Sequence, residues 1–320
     1  MKIKTVLAAA LLAMAALHAH AQNFPIKPVR VIIAFPAGSA TDIIGRVITQ
    51  NVSEYWGQAV IADNRGGAGG SIASSIAAKA APDGYTLIIN SSAHAINPSM
   101  YAKLPYDTRK DFVDIMRLVG QPNVLVVQPG SPIKSMSAFL AEARAKPGSI
   151  NFAFAGLGSG THLNLEKFKL ASKVDVTPVA YKGSGEAIND VMGGRVHTYF
   201  APISAGISFI RANRLRALAV TSAQRSSQLP DVPTIAESGV PGFEFILWFG
   251  LWGPAGMPQP ILDKVWTDFN RALEDAGVRE KLATLGNETM PMKPAAFTKF
   301  VNQEIAEYAR IFKAAGIKPQ

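Results

Sequence analysis

The order of apolar and polar positions along the chain predicts alternating strands and helices. Short apolar runs are followed by segments whose apolar residues recur three and four positions apart. Strands are predicted at 29–35, 58–63, 85–90, 124–127, 150–154, 176–180, 196–200, 215–221 and 243–252. Helices are predicted at 41–55, 71–80, 135–145, 161–171, 184–192, 204–211 and over most of 259–315. This alternation indicates an α/β fold with parallel strands.

Two sets of these elements are each long enough to enclose a core. The chain is predicted to cross between the sets twice, near 121–126 and again near 244–252, after the polar loop 224–242. We therefore expect two lobes, one formed by 22–123 with 248–320 and the other by 124–247. Two lobes joined by two crossover strands form a hinge, and such hinges close around ligands.

The first 21 residues have the features of a signal peptide. Lys2 and Lys4 precede the apolar run 5–17, which is shorter than the ~20 residues that span a bilayer. Ala19-His20-Ala21 then forms a small-x-small cleavage signal, with cleavage expected near Ala21-Gln22. A membrane anchor is the alternative. The chain has no cysteine for a disulfide or a lipid, and with the signal this predicts the periplasm of a Gram-negative bacterium.

The charge balance limits the class of partner. The formal net charge of +9 falls to +7 when Lys2 and Lys4 are removed, and no run of five or six basic residues occurs. A dispersed excess of this kind argues against a nucleic-acid surface. It is compatible with an anionic small-molecule ligand, because a positive field raises the capture rate, and equally with a charge that has no functional role.

Two loops of small residues each separate an apolar strand from a helix. Loop 36–41 reads PAGSAT and loop 155–161 reads AGLGSGT. Helix starts offer free N–H groups to anions, and glycine lets a ligand approach them. If the lobes face each other, uncharged donors of both loops hold one carboxylate across the cleft, with Thr41 or Asp42 as the first N-cap. Tight strand–helix packing is the alternative for either loop alone.

Motifs of other site types are incomplete. Loop 66–70 lacks the lysine of a P-loop, and Leu157 breaks the G-x-S-x-G pattern of a hydrolase around Ser159. The dinucleotide fingerprint finds Thr161 or Leu163 where it needs its last glycine. After the leader only three isolated histidines remain, and no metal or other cofactor is expected.

An exported hydrolase or isomerase is a second hypothesis. It would need Ser39 or Ser159 to act with a histidine, either His94 or His162. The sequence holds no motif for such a pair, and we expect binding without catalysis.

Several motifs resemble those of one known family, the TctC or Bug receptors (Bordetella uptake gene) of tripartite tricarboxylate transporters. The resemblance covers essentially the whole mature chain. It is carried by Phe24-Pro25-x-Lys27-Pro28-x-Arg30, Phe35-Pro36-Ala37-Gly38-x-x-x-Asp42, Asn64-Arg65 before Gly-Ala-Gly-Gly, Ala81-Pro82-Asp83-Gly84-Tyr85-Thr86-Leu87, Gly158-Ser159-x-x-His162-Leu163, Tyr181-Lys182-Gly183 and Pro233-Thr234-x-x-Glu237-x-Gly239-x-Pro241-Gly242-Phe243.

The resemblance implies a type II periplasmic-binding-protein fold and capture of a small carboxylate, partly through ordered waters. The carboxylate would be a di- or tricarboxylate, an acidic amino acid or an aromatic acid, passed by a monomeric receptor to a two-subunit membrane permease. Loops 36–42 and 156–162 would hold it, and two further segments would line the site. The ligand-binding residues expected are Phe35, Ala37, Gly38, Ser39, Thr41, Asp42, Ser91, Ser92, His94, Gly158, Ser159, Thr161, His162, Tyr181, Lys182 and Gly183.

The chain departs from the family pattern at three places. Ser39 stands where the family usually has a second glycine, Gly66 replaces a common proline, and His197-Thr198 replaces the usual aspartate. The first two changes bear on which ligand is bound and leave the fold unaffected. A receptor that presents its liganded form to a membrane signalling partner is a further hypothesis, because its soluble chain would look the same.

Overall fold

The computed structural model describes residues 24–320, and the expected signal peptide lies outside these residues. A first sheet begins with three parallel strands, β1 (Val29–Ile33), β2 (Val60–Asn64) and β3 (Thr86–Ser91), in the spatial order β2-β1-β3. The helices that follow them are α1 (Ala40–Trp56), α2 (Ser71–Ala78) and α3 (Ala93–Met100), and a 3-10 turn at Ala68–Gly70 precedes α2. The first sheet thus has the parallel βα pattern predicted from the sequence.

One strand, β4 (Phe112–Val127), runs through two sheets. Residues 112–122 pair antiparallel with β9 (Ile246–Pro254), which also pairs with β3 in the first sheet. Residues 123–127 pair with β7 (Thr198–Pro202) and β8 (Arg216–Val220) of a second sheet. The change of sheet within β4 lies next to the return of the chain into β9, so the two crossing segments are neighbours.

The second sheet is completed by β5 (Asn151–Phe154) and β6 (Thr177–Ala180), which continue parallel from β7. Its helices are α4 (Met136–Ala145), α5 (Gly160–Ser172), α6 (Ser184–Met192) and α7 (Ile203–Arg211). We call the unit on the first sheet the first lobe and the unit on the second sheet the second lobe.

The C-terminal part of the chain returns to the first lobe. It forms α8 (Gln259–Glu274), α9 (Ala276–Thr284), the short strand β10 (Glu288–Thr289) beside β4, and α10 (Pro294–Ala314). Helix α10 packs on α3 and β4. Phe297 of α10 lies against Trp248 and Trp252 of β9, and all three rings are buried. This aromatic contact fixes β9, which lies beside the cleft, against the core.

The first half of β4 and the helix α3 are absent from the sequence prediction. Asp114 and Arg117 interrupt the apolar pattern of β4, yet Asp114 is half-buried and accepts a hydrogen bond of 2.7 Å from Trp252 Nε1. Burial raises the pKa of that carboxyl group. Helix α3 contains Pro98, a residue that normally marks a helix boundary. Within residues 24–320, no helix combines the length and apolar character needed to cross a bilayer.

Candidate functional site

The two small-residue loops have nearly the same backbone. Gly38 has φ 76° and Gly158 has φ 75°, a left-handed conformation that glycine adopts without strain. The next residues, Ser39 (φ −73°, ψ 161°) and Ser159 (φ −76°, ψ 159°), are extended and begin α1 and α5. The sequence Gly-Ser-x-Thr therefore builds the same strand-to-helix turn once in each lobe.

The hydrogen bonds of the two turns also correspond. Ser39 Oγ accepts from the N–H of Asp42 at 3.3 Å, and Ser159 Oγ accepts from the N–H of His162 at 3.2 Å. The expectation that Thr41 or Asp42 caps α1 is wrong, because Ser39 is the N-cap and both other residues belong to the first helical turn. The serine takes this position since it is the last extended residue before the helix.

Each helix start keeps two backbone donors available. Among the described residues, no acceptor is found for the N–H groups of Ala40 and Thr41, or for those of Gly160 and Thr161. These are the first two amides of each helix, which have no intrahelical partner. The two helix starts thus provide four uncharged donors together with their positive dipole ends.

A cavity lies between these two helix starts. It is lined by Phe35, Ser39, Ala40, Thr41, Ser91, Ala155, Ser159, Gly160, Thr161, Ser184, Pro202, Leu247 and Phe249. Its volume is about 20 Å³, which is room for about one water molecule. None of its lining residues is charged, so the groups available to an anion are N–H and O–H dipoles.

A larger cavity, of about 630 Å³, lies at the crossing strands and is lined in part by Gln121, Glu244 and Ile246. It contains no residue of either small-residue loop. Volume alone would favour the larger cavity as the binding site, whereas the matched backbone donors favour the smaller one. We take the smaller one as the candidate site because both loops converge on it.

Six of the sixteen predicted residues line the smaller cavity. They are Phe35, Ser39, Thr41, Ser91, Ser159 and Thr161. The Oγ1 of Thr161 is engaged within its loop, since it accepts from the N–H of Ala155 at 2.9 Å. The side chain of Thr41 makes no hydrogen bond to the rest of the described chain, which leaves its hydroxyl available to a ligand.

Asp42 and His162 occupy equivalent positions and serve their own loops. The Asp42 carboxylate accepts from the N–H of Gly38 at 2.9 Å, from Asn64 Nδ2 at 2.9 Å and from Arg46 Nε at 2.7 Å. Because this carboxylate occupies the Gly38 amide, that donor is not free for a ligand. Ala37 and Gly38 are exposed on the outer side of the turn.

The His162 ring is stacked on Phe154, with ring centroids 4.6 Å apart. Its Nδ1 accepts a long hydrogen bond, 3.5 Å, from the N–H of Gly158. Burial, and secondarily the charge of Lys169, lower the pKa of His162 to about 4. The ring is therefore neutral near pH 7, with its proton on Nε2.

His94 and Ser92 closely follow the lining residue Ser91 in the sequence, but neither lines the cavity. His94 is completely buried between Phe112 and Trp252, with ring centroids at 4.7 and 4.4 Å, and is not a lining residue. Burial lowers its pKa to about 3. Ser92 is also fully buried, and its Oγ has no hydrogen-bond partner among the described residues.

The segment 181–183 borders the loops without lining the cavity. Tyr181 Oη donates to Asp190 at 2.8 Å, and Lys182 is exposed. Gly183 is buried against Pro36 of the opposite lobe. Gly158 is likewise buried, beside Asn97 of the opposite lobe.

The sequence prediction did not include several lining residues, among them Ser184, Leu247 and Phe249. Leu247 and Phe249 fall in a segment predicted as a crossing strand, and crossing strands form the floor of a cleft. Their position in a crossing strand could therefore have identified Leu247 and Phe249 as lining residues. Ser184 Oγ is paired with Tyr199 Oη at 3.0 Å.

The serines and histidines of the hydrolase hypothesis do not form pairs. Ser159 Oγ contacts the backbone N–H of His162 and Thr161 Oγ1, and Ser39 Oγ contacts the backbone N–H of Asp42. No hydrogen bond joins either serine to an imidazole ring within residues 24–320. Among the described residues, neither serine is therefore hydrogen-bonded to an imidazole that could act as its general base.

Comparison with known proteins gives consistent results. The model of the family "Tripartite tricarboxylate transporter family receptor" matches residues 44–317. BugT of Bordetella pertussis is 36% identical over 300 residues, which cover 93% of this chain and 92% of BugT.

Three solved structures share the fold over most of their length. The R. palustris protein Rpa4515 with adipate is 36% identical with a TM-score of 0.90, covering 93% of this chain and 100% of that one. The periplasmic binding protein BugD is 31% identical with a TM-score of 0.89, covering 93% and 100%. MatC of Rhodopseudomonas palustris with bound malate is 31% identical with a TM-score of 0.83, covering 90% and 99%.

These similarities confirm the two-lobed α/β fold of periplasmic binding proteins that the sequence predicted. They also confirm the resemblance on which the prediction of the family was based. The chain belongs to the tripartite tricarboxylate transporter receptor family, a family of periplasmic solute-binding proteins.

Proposed function

We propose that this protein captures a small carboxylate between its two lobes and delivers it to the membrane subunits of a tripartite transporter. The main support is the pair of matched helix starts, which direct four free N–H groups and the hydroxyl of Thr41 toward one uncharged cavity. Two relatives that share the fold carry adipate and malate. A carboxylate is the ligand group that such donors stabilise.

The strength of such a site can be approximated from its donors. A hydrogen bond to a charged group contributes roughly 1.5–3 kcal/mol. Three to five of them, after the cost of association, are sufficient for the net −8 kcal/mol or so of micromolar binding. The apolar residues Phe35, Leu247 and Phe249 would cover the hydrocarbon part of the ligand.

Entry of a ligand requires the lobes to separate. A cavity of about 20 Å³ holds roughly one water molecule, which is far less than a dicarboxylate needs. We place the hinge where β4 and β9 cross, with lobes of 22–123 plus 248–320 and of 124–247. The pairing of Pro122 with Ile246 in one sheet, and of Asn123 with Pro202 in the other, supports boundaries close to these.

We further propose export by a signal peptide cleaved near Ala21-Gln22 and action as a monomer in the periplasm. The small-x-small sequence before Gln22 and the periplasmic relatives support export. The family supports a permease partner, which is tested separately by co-purification with the membrane subunits of a tripartite tricarboxylate transporter.

Thermal shift and calorimetry with adipate, malate and aromatic monocarboxylates test the proposed function. At one hundred times the dissociation constant, a true ligand adds about 2.7 kcal/mol to the free energy of unfolding. Thr41→Val removes one hydroxyl from the cavity and is expected to weaken binding about tenfold, whereas Thr49→Val, equally buried on α1 but outside the cavity, leaves affinity unchanged. No stabilisation by any carboxylate would contradict the proposal.

A further inference from the structure

Loop 156–158 of the second lobe is held by the first lobe at a point outside the cavity. The hydroxyl of Tyr101 donates to the carbonyl oxygen of Leu157 at 3.2 Å. Gly69, in the 3-10 turn of the first lobe, lies so close that a Cβ atom on it would be 2.2 Å from the same oxygen. Gly158 is also close to the first lobe, since its own Cβ would be 2.8 Å from Asn97 Oδ1.

The other loop makes a corresponding contact. Pro36 of the first lobe packs on Gly183 of the second, where an added Cβ would lie 3.2 Å from both Cδ and Cγ of the proline. Gly183 has φ −174°, an extended conformation open to any residue. The side chain that this position can accept is therefore limited by the neighbouring proline and not by the backbone. The lobes thus touch beside each loop of the candidate site.

The contact at Leu157 also sets the direction of the donors in the second loop. Leu157 directly precedes Gly158 and the N-cap Ser159, and the free amides of Gly160 and Thr161 follow. Because this turn is short and fixed by the cap, displacement of the Leu157 carbonyl moves both amides. The first lobe therefore orients donors that belong to the second.

We propose that Gly69 and Tyr101 are positioning residues, which hold the closed arrangement and orient the amides of Gly160 and Thr161 without lining the cavity. Gly69 permits the approach of the two backbones, and Tyr101 stabilises it with one hydrogen bond. The consequence for affinity rests on the proposed function. The consequence for closure does not.

The chain offers a matched control for Gly69. Gly69 has φ 57° and Gly57 has φ 58°, so alanine meets the same backbone strain at both positions. At Gly57 a Cβ atom has no neighbour within 4 Å, whereas at Gly69 it collides with the backbone of the opposite lobe. A difference between Gly69→Ala and Gly57→Ala therefore reports on closure and not on local stability.

Closure is measured directly by spin labels. The chain has no cysteine, so Lys79→Cys in the first lobe and Lys134→Cys in the second, both exposed, give one defined pair of labels. We expect Gly69→Ala to shift the distance distribution away from that of the unsubstituted chain, and Gly57→Ala to leave it unchanged. Identical distributions in the two variants overturn the proposal.

Binding is the second measurement, with adipate and malate as the probes. If Gly69→Ala reduces the closed population to a tenth, the apparent dissociation constant rises about tenfold. Tyr101→Phe, which keeps the ring, is expected to raise it about 2- to 10-fold, and it tests the contact if Gly69→Ala does not fold. Unchanged affinity in both variants overturns the proposal. A chain that binds no carboxylate but still loses closure in Gly69→Ala would contradict the proposed function alone.

Discussion

Residues of the same amino-acid type have different roles in this structure. Ser39 and Ser159 cap the helices that face the cavity, while Ser92, almost adjacent to it, is buried without a partner among the described residues. The histidines also differ, since His162 belongs to a loop of the site and His94 to the aromatic core. The chemistry of a side chain acquires a role here only through the backbone that places it.

His94 should make stability depend on pH. Its pKa is lowered to about 3 in the folded chain by burial, and is about 6.5 when unfolded. The free energy of unfolding therefore carries no penalty from His94 above about pH 6.5. It decreases as the pH falls from 6.5 toward 3, because the unfolded chain binds the proton first. His94→Phe, between Phe112 and Trp252, is expected to remove on the order of 3 kcal/mol of the loss between pH 7 and pH 4.

Urea unfolding at several pH values measures this effect. A profile for His94→Phe that superimposes on that of the unsubstituted chain would disprove the assignment.

At Gly160, a larger side chain is expected to interfere directly with ligand binding. A Cβ atom on this glycine would lie 2.3 Å from Leu247 Cδ1 of the crossing strand β9 and 2.7 Å from Ser92 Oγ of the first lobe. Gly160→Ala is therefore expected to weaken carboxylate binding at least tenfold, while the helical backbone of α5 tolerates alanine. Calorimetric titration with adipate measures the loss, and far-UV circular dichroism should remain unchanged. Full affinity in this variant would remove Gly160 from the site.

At the scale of elements, the same unit occurs twice. A parallel strand, a Gly-Ser-x-Thr turn and a capped helix stand at β1–α1 and again at β5–α5. Helix α4 has a serine cap of the same kind, Ser135, whose Oγ accepts from the N–H of Ala138 at 3.1 Å, but it lies away from the cavity. Caps that stabilise a helix can thus be compared with caps that also form a site.

This comparison gives a prediction for the caps. Ser159→Ala and Ser135→Ala should each lower the free energy of unfolding by about 1 kcal/mol, because each removes the side-chain acceptor of one first-turn N–H. Only Ser159→Ala should also weaken adipate binding, since only Ser159 lines the cavity. Chemical denaturation and titration separate the two effects. Equal affinities in both variants would show that the Ser159 hydroxyl does not contribute to binding.

Elements were predictable from the sequence where local signals agreed with the fold. The helices of the second lobe begin and end within a few positions of the prediction because their apolar spacing and caps are regular. Helix α3 was missed because Pro98 marks a boundary in most helices. The first half of β4 was missed because its half-buried Asp114 resembles a surface residue until the partner Trp252 is known.

The candidate site was also predictable in part from the sequence. Glycines beside hydroxyl residues identified both loops, because a glycine turn at a helix start lets an anion approach the free backbone N–H groups. The occupation of the Gly38 amide by Asp42 could not be inferred, since it depends on side-chain direction. Nor could the contribution of Leu247 and Phe249, whose strand reaches the cavity only through tertiary structure.

At the scale of the whole molecule, the two lobes are mechanically joined. Strand β4 has its first part in one sheet and its last part in the other, and α10 of the first lobe also contacts α5 of the second. Unfolding of one lobe would disturb the pairing of a strand that the other needs. We therefore expect one cooperative thermal transition, with equal calorimetric and van't Hoff enthalpies. Two resolved transitions in scanning calorimetry would contradict this expectation.

The shared strand limits how the protein can be divided for engineering. A fragment that ends at residue 123 would lack β9, which pairs with both β3 and residues 112–122 of β4. A fragment that begins there would carry β9 without these two partners, and unpaired strand edges recruit other chains. Separately produced halves should aggregate, so a fluorescent sensor made from this receptor needs its reporter inserted into an uninterrupted chain.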